Sequence, residues 1–166
     1  TLGFRGEALP SVASVSRIGI NSRTVETGSG WKVSGEGGVF SPPIPISCVK
    51  GTTVVVEDLF FNTPARRKFL RTEKTERSYI ERIVKSLALA SPGVSFSLSV
   101  DGKLNWHVPQ EDSSLRFHRI EKILGREFSN NGKQITGAAN GISLEGWLGL
   151  PPYSRSQADR QYLFIN

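Results

Sequence analysis

Methionine is absent from the 166 residues of this chain, cysteine occurs once and histidine twice, and each scarcity closes off a class of chemistry. The lone Cys48 can neither build an internal disulfide framework nor supply a cysteine-based zinc site, and a reducing cytoplasm is the simplest home for such a sequence. His107 and His118 are too separated to suggest a metal pair and read as surface or hairpin residues. No apolar run approaches the roughly 18 residues that cross a bilayer, and no charged stretch leads into an apolar signal core. The opening glycines are not followed by Gly-Lys-Ser/Thr, so they form neither a P-loop nor a dinucleotide fingerprint. No internal repeat or low-complexity segment is found. A chain without methionine that starts at Thr1 reads as a piece of a larger protein.

What remains is an ordinary globular composition, 37% apolar and 22% charged, with a net charge of +6. That balance favours a polyanionic partner, although it speaks to solubility and steering more than to a site. Two segments carry more. Gly3-Phe-Arg-Gly-Glu-Ala-Leu9 brackets an aromatic and an arginine with glycines and runs into helix formers. Such a loop can lay backbone N–H groups against phosphate oxygens, with the following helix pointing partial positive charge the same way and Arg5 adding a planar fork. From spacing alone an ordinary turn before a helix is the favoured reading. The second segment, Gly51-Thr-Thr-Val-Val-Val-Glu-Asp-Leu-Phe-Phe-Asn-Thr-Pro-Ala-Arg-Arg-Lys-Phe69, is a β-branched strand that gives way to a basic stretch.

Between and beyond these strings the chain reads as a short helix over Gly6 to Val15, strands over Arg17 to Val25 and Gly30 to Val33, and an edge or loop at Pro42, Pro43 and Pro45. Thr52 to Leu59 is a strand. Ile80, Ile83, Val84 and Leu87 mark an amphipathic helix between Thr72 and Ala90, ended by Ser91-Pro92-Gly93. Alternating residues from Val94 to Val108 around Asp101-Gly102 predict a β-hairpin. Pro109 to Ser114 is the expected domain boundary. A helix over Leu115 to Leu124 stopping at Gly125, a hairpin of Ile135 to Ala139 and Ile142 to Leu150 around Asn140-Gly141, and a final apolar strand from Tyr162 to Asn166 complete the reading.

Taken together, Gly3-Phe-Arg-Gly-Glu-Ala-Leu9 and Asn62-Thr-Pro-Ala-Arg-Arg-Lys-Phe69 resemble the MutL family of DNA mismatch-repair ATPases, the bacterial members above all, and the similarity runs the length of the chain. The resemblance implies an α+β fold: residues 1–109 as the C-terminal part of a GHKL-type ATPase α/β sandwich, and residues 110–166 as the start of a ribosomal-protein-like β-α-β transducer domain. It implies that Gly3, Phe4, Arg5 and Gly6 belong to a lid over bound ATP, contacting phosphates through backbone groups, and that Thr52 lies near the nucleotide while Thr53 points the other way, since strand side chains alternate. Without the family, Thr52 is an ordinary strand residue.

The family's general-base glutamate, its magnesium-holding asparagine and its adenine-reading aspartate all precede the lid, and a lysine that reaches the γ-phosphate follows the Phe-Ile-Asn strand. None falls within this sequence, and Glu7, Glu57 and Asp58 are not substitutes: Glu7 suits a helix first turn and Asp58 a strand-to-loop corner. The expectation is a parent that binds ATP and magnesium, hydrolyses ATP, pairs as a homodimer and signals to mismatch-recognition and downstream repair proteins in the bacterial cytoplasm, on the nucleoid. The piece alone is expected neither to hydrolyse ATP nor to bind it tightly.

Arg66, Arg67, Lys68, Arg71, Lys74 and Arg77 fall within twelve residues. One reading is a solvated face in which Glu73, Glu76 and Glu81 make local pairs worth about 0.3 kcal/mol each. The other is non-specific contact with the backbone of double-stranded DNA, centred on Arg66, Arg67, Lys68 and Arg71. Were all six cations engaged, affinity would fall about 10³-fold between roughly 50 and 200 mM salt. The run is read as lacking interleaved aromatics, so stacking on single strands is the weaker expectation. Two rivals stay open: a nucleic-acid-binding module without nucleotide chemistry, and another ATPase of the gyrase, chaperone and histidine kinase group.

Overall fold

The computed structural model describes residues 6–111, 116–153 and 160–165. The chain divides into two compact units, Thr1–Arg71 and Thr72–Asn166.

In the first unit a short helix, α1 (Ala8–Ala13), precedes an antiparallel sheet of β1 (Arg17–Arg23), β2 (Gly30–Glu36), β3 (Val39–Phe40), β4 (Ile44–Ile46) and β5 (Gly51–Glu57), followed by α2 (Pro64–Arg67). The order is β3-β2-β1-β5, with β4 also on the edge of β2. Pro45 sits opposite Trp31 on that edge strand, where a missing N–H costs no ladder bond. β2 runs on past the expected Val33 to Glu36, because the chain turns only at Gly37 and Gly38, whose positive φ values of 58° and 89° suit a tight hairpin.

Register decides what each face of the sheet carries. Ile18, Ile20 and Ser22 of β1 lie opposite Val56, Val54 and Thr52 of β5, and Ile20 and Ser22 lie opposite Val33 and Trp31 of β2. Because successive side chains alternate, these residues share one mainly apolar face, while Arg17, Asn21, Lys32, Ser34, Glu36, Thr53 and Glu57 share the other. Ile18 is buried on the apolar face, but Trp31, Val54 and Val56 remain exposed.

The second unit begins with α3 (Glu73–Ala90), capped by Thr72, whose hydroxyl accepts from the Thr75 amide, and acidic in its first turn at Glu73 and Glu76. A hairpin of β6 (Phe96–Val100) and β7 (Lys103–Val108) follows, turning at Asp101-Gly102 and bulged between Leu98 and Ser99. Then come α4 (Arg116–Leu124), α5 (Arg126–Asn131) and the hairpin β8 (Gly132–Ala139) and β9 (Ile142–Gly149), which turns at Asn140-Gly141. The core gathers Ala88, Val108, Ile123, Leu124 and Phe128, with Trp106, Trp147 and Tyr153 packed at its margin.

Several expectations need correction. α4 does stop at Gly125, but a second helix, α5, follows directly; its polar sequence has no helical period, and burial of Phe128 is what holds it. Tyr162 to Ile165 form no strand, since no neighbour among the described residues supplies a ladder: Tyr162 packs against the core, while Leu163 and Ile165 are exposed. The α3 stripe exists, yet Ile80, Ile83 and Leu87 are exposed and the helix is anchored instead through Ala88. Of the two histidines, His107 sits in the hairpin with its Nδ1 2.9 Å from the Ser97 hydroxyl, and His118 is exposed on α4.

Candidate nucleotide and DNA surfaces

Gly3, Phe4 and Arg5 lie outside the described residues. Gly6 is described, with φ of +71° and open space where a Cβ would stand. Backbone conformation rather than crowding therefore requires glycine here. α1 starts two residues later and is only six residues long. A helix this short sums few peptide dipoles, so the expected electrostatic pull of the helix on a phosphate is not available from α1, and any phosphate contact falls to the loop amides. Glu7 stands at the helix N-cap without a side-chain capping bond.

The carbonyls at the trailing end of α1 are all taken. The Gly38 amide donates to Ala13 (2.9 Å), the Gly37 amide to Ser16 (3.3 Å) and the Phe60 amide to Val15 (2.6 Å), while the Asn62 side-chain amide donates to Ser14 (2.8 Å). The buried Ser16 hydroxyl returns to the Val12 carbonyl at 2.7 Å. Gly6 thus opens onto a short helix whose far end is fastened.

Thr52 projects from the apolar face of the sheet, with its hydroxyl 2.8 Å from that of Ser22 and its side chain exposed. One hydroxyl–hydroxyl bond leaves each oxygen with further capacity to accept or donate. Thr53 lies opposite Asn21, on the other face. The register thus separates the two threonines as strand alternation requires. Thr52 and Ser22 thus bring two hydroxyls together on a mainly apolar face.

Arg17 organises the corner where β5 ends. It bonds Glu36 at 3.2 Å and Asp58, and its guanidinium lies 4.8 Å from the centre of the Phe61 ring. The hydrogen bonds that Arg17 donates to Glu36 and then to Asp58 raise its pKa above the ordinary value, so the cation is fixed. Asp58 anchors the strand-to-loop corner through this pair. Both Asp58 and Phe60 adopt positive φ, 51° and 64°, a conformation uncommon for aspartate and costly for a bulky aromatic.

That corner leads into α2. Arg66 and Arg67 occupy its last turn, Lys68 caps it, and these residues and Arg71 are exposed. The helix starts with Pro64 at a position where the missing N–H is not needed. The run does hold one aromatic, contrary to expectation: Phe69 is 85% exposed between Lys68 and Arg71. Along α3, Glu81 pairs with Lys85 at 2.7 Å.

Sequence reasoning missed Asn62, Arg17 and Arg119. Asn62 has a signal in retrospect, since it and Asp58 flank a turn and Asn and Asp side chains readily bond nearby backbone. Arg119 is buried at 2% exposure among backbone carbonyls, and an arginine in a charged helix carries no such mark.

A family model described as the DNA mismatch repair protein, C-terminal domain, matches residues 120–166. The DNA mismatch repair protein MutL of Pseudomonas fluorescens (strain SBW25) is 47% identical across all of this chain, and that of Pseudomonas aeruginosa (strain LESB58) is 45% identical. The chain spans about a quarter of the length of each, 26%. Among solved structures, the Aquifex aeolicus MutL ATPase domain complexed with ADP superposes with a TM-score of 0.74 at 32% identity, covering 91% of this chain and 57% of that one. An N-terminal domain of a DNA repair protein shares the fold at a TM-score of 0.77 and 22% identity, over 96% of this chain and 52% of its own. The α+β fold is that of the GHKL-type ATPase domains, and the chain belongs to the MutL family of DNA mismatch-repair proteins.

Proposed function

We propose that this segment supplies the lid and one sheet wall of an ATP site in a mismatch-repair protein, together with a basic surface for the DNA backbone. The carrying observation is the placement of Thr52: an exposed hydroxyl on the apolar face of the central sheet, in a chain 32% identical to an ATPase domain solved with ADP. Gly6 in the left-handed region fits the base of a loop whose amides close over phosphates. Gly3, Phe4 and Arg5 continue that loop, with Arg5 adding charge.

Residues 1–109 belong in this reading to the ATPase domain and residues 110–166 to the start of the transducer. Magnesium, when bound, would neutralise charge developing on the transferred phosphoryl group. The chain's own part is to position: Thr52 orients the nucleotide on the sheet, and the lid excludes water and orders on binding. Ordering of the lid promotes pairing of two N-terminal regions and signals to mismatch-recognition and downstream repair proteins. Arg66, Arg67, Lys68 and Arg71 hold duplex DNA without reading its sequence.

Thr52→Val, Thr53→Val and Arg5→Ala in the intact protein test this. Thr52→Val is expected to raise the ATP KM about tenfold, Thr53→Val to leave it unchanged, and Arg5→Ala to reduce both turnover and ATP-dependent dimerisation. Equal kinetics for the two threonine variants would remove Thr52 from the site. A protein that binds DNA with no measurable nucleotide affinity would favour a DNA-binding module instead.

A further inference from the structure

We propose that Ser22 is a positioning residue for the nucleotide: its hydroxyl fixes the rotamer of Thr52 and so decides which branch of that side chain meets the ligand. This rests on the nucleotide reading above and deepens it. Ser22 and Thr52 stand directly opposite each other in the ladder of β1 and β5, with their hydroxyls 2.8 Å apart. The remaining rungs on that face are apolar, Ile20 facing Val54 and Ile18 facing Val56, while Trp31 and Val33 flank Ser22 and Ile20 from β2. Among the described residues of β2, β1 and β5, Ser22 is therefore the one hydroxyl that shares this face with Thr52.

The two partners differ in freedom, and that difference sets which one directs the other. β1 lies between β2 and β5, whereas β5 pairs only with β1 among the described residues. Ser22 is half-buried on the inner strand, and its carbonyl lies beside Gly30, where an added Cβ would stand 3.1 Å from that oxygen. The backbone around Ser22 is close-packed on the β2 side, and a glycine is what permits the approach. Thr52 is exposed, and its neighbour Gly51, at φ of +114°, has open space where a Cβ would stand. Threonine carries a hydroxyl and a methyl on one carbon, and rotation among its staggered wells exchanges their places. The bond to Ser22 holds the Thr52 hydroxyl across the ladder, and both oxygens keep capacity to donate or accept toward a ligand. Without that bond the methyl takes the hydroxyl's place in a share of the molecules, and the share competent to bind falls accordingly.

Shape and chemistry at position 22 can be varied separately. Ser22→Val and Ser22→Thr share a branched outline, and only the second keeps a hydroxyl for Thr52. In the intact protein with magnesium, ADP affinity is measured for the wild type, for both variants, for Thr52→Val, and for Ser22→Val combined with Thr52→Val. Staggered wells of comparable depth leave about one third of the Thr52 side chains in the productive rotamer, so Ser22→Val is expected to weaken ADP binding about threefold. Ser22→Thr is expected to keep the wild-type affinity. Ser22→Ala, which removes the hydroxyl without adding bulk, replaces Ser22→Val should the latter not fold. In the Thr52→Val background the change at position 22 is expected to weaken binding no further, because no hydroxyl is left to orient. Equal affinities for Ser22→Val and Ser22→Thr, or the same loss with Thr52→Val as without it, overturn the positioning role. The pair is then an ordinary cross-strand contact that stabilises the sheet, and the nucleotide reading stands. A Thr52→Val protein that binds ADP as the wild type does removes Thr52 from the site, and the role of Ser22 with it.

Discussion

Arg119 donates to five backbone carbonyls, those of Ala88 (2.7 Å), Ser91 (3.2 Å), Pro92 (3.0 Å), Val94 (2.8 Å) and Pro109, and so ties the end of α3, the start of the first hairpin and its exit to α4. Its ion pair with Glu111 is looser: Nε and Oε2 are 3.8 Å apart, and neither makes a hydrogen bond. The magnitudes then rank the two partners. Arg119→Met is expected to destabilise the protein by about 3 kcal/mol, because it removes five hydrogen bonds, leaves the Ala88, Val94 and Pro109 carbonyls without the donor that Arg119 supplies, and unpairs the buried Glu111 carboxylate. Glu111→Gln removes only an imperfect pair, for a cost of about 1 kcal/mol. Urea unfolding followed by tryptophan fluorescence checks the ranking, and a larger effect for Glu111→Gln would reverse it. The sequence reading could not find this residue. Gly6 and Thr52 sit in motifs where residue type and spacing limit what the backbone can do, whereas Arg119 acts through the tertiary placement of carbonyls far away in sequence.

Elements whose cause is local were legible. The Asp101-Gly102 and Asn140-Gly141 turns carry positive φ at both residues, as the favoured two-residue hairpin requires, and both hairpins form around them. The end of α3 at Ser91-Pro92-Gly93 was likewise written in residue type. α5 and the segment after Arg160 were not, because one depends on burying Phe128 and the other on whether a neighbouring strand is present. The basic stretch was legible as charge but not as shape, since it forms a four-residue helix with exposed cations and an exposed Phe69. If α2 engages phosphates, Arg66→Glu, Arg67→Glu and Lys68→Glu together are expected to flatten the dependence of duplex affinity on salt by about 0.9 in log–log slope for each phosphate left without its cation. Filter binding across a salt series measures it. An unchanged slope would leave α2 a solvated face, with the nucleotide reading untouched.

At the scale of the whole chain, ordered apolar rows stay exposed: Trp31, Val54 and Val56 on one face of the sheet, and Ile80, Ile83 and Leu87 along α3. Scattered apolar residues are normal on a surface, but contiguous rows set by strand register and helical period make patches that seek cover. The charge of +6 opposes association only weakly, because a Debye length of about 8 Å at physiological salt screens it. The 166-residue segment expressed alone is therefore expected to bind a hydrophobic dye strongly and to elute as species larger than 18.2 kDa. Sedimentation velocity over a concentration series reads the association directly. A single monomeric species with low dye binding would mean that these rows find cover within the chain, and that the exposed sheet face bearing Thr52 is not open to a nucleotide.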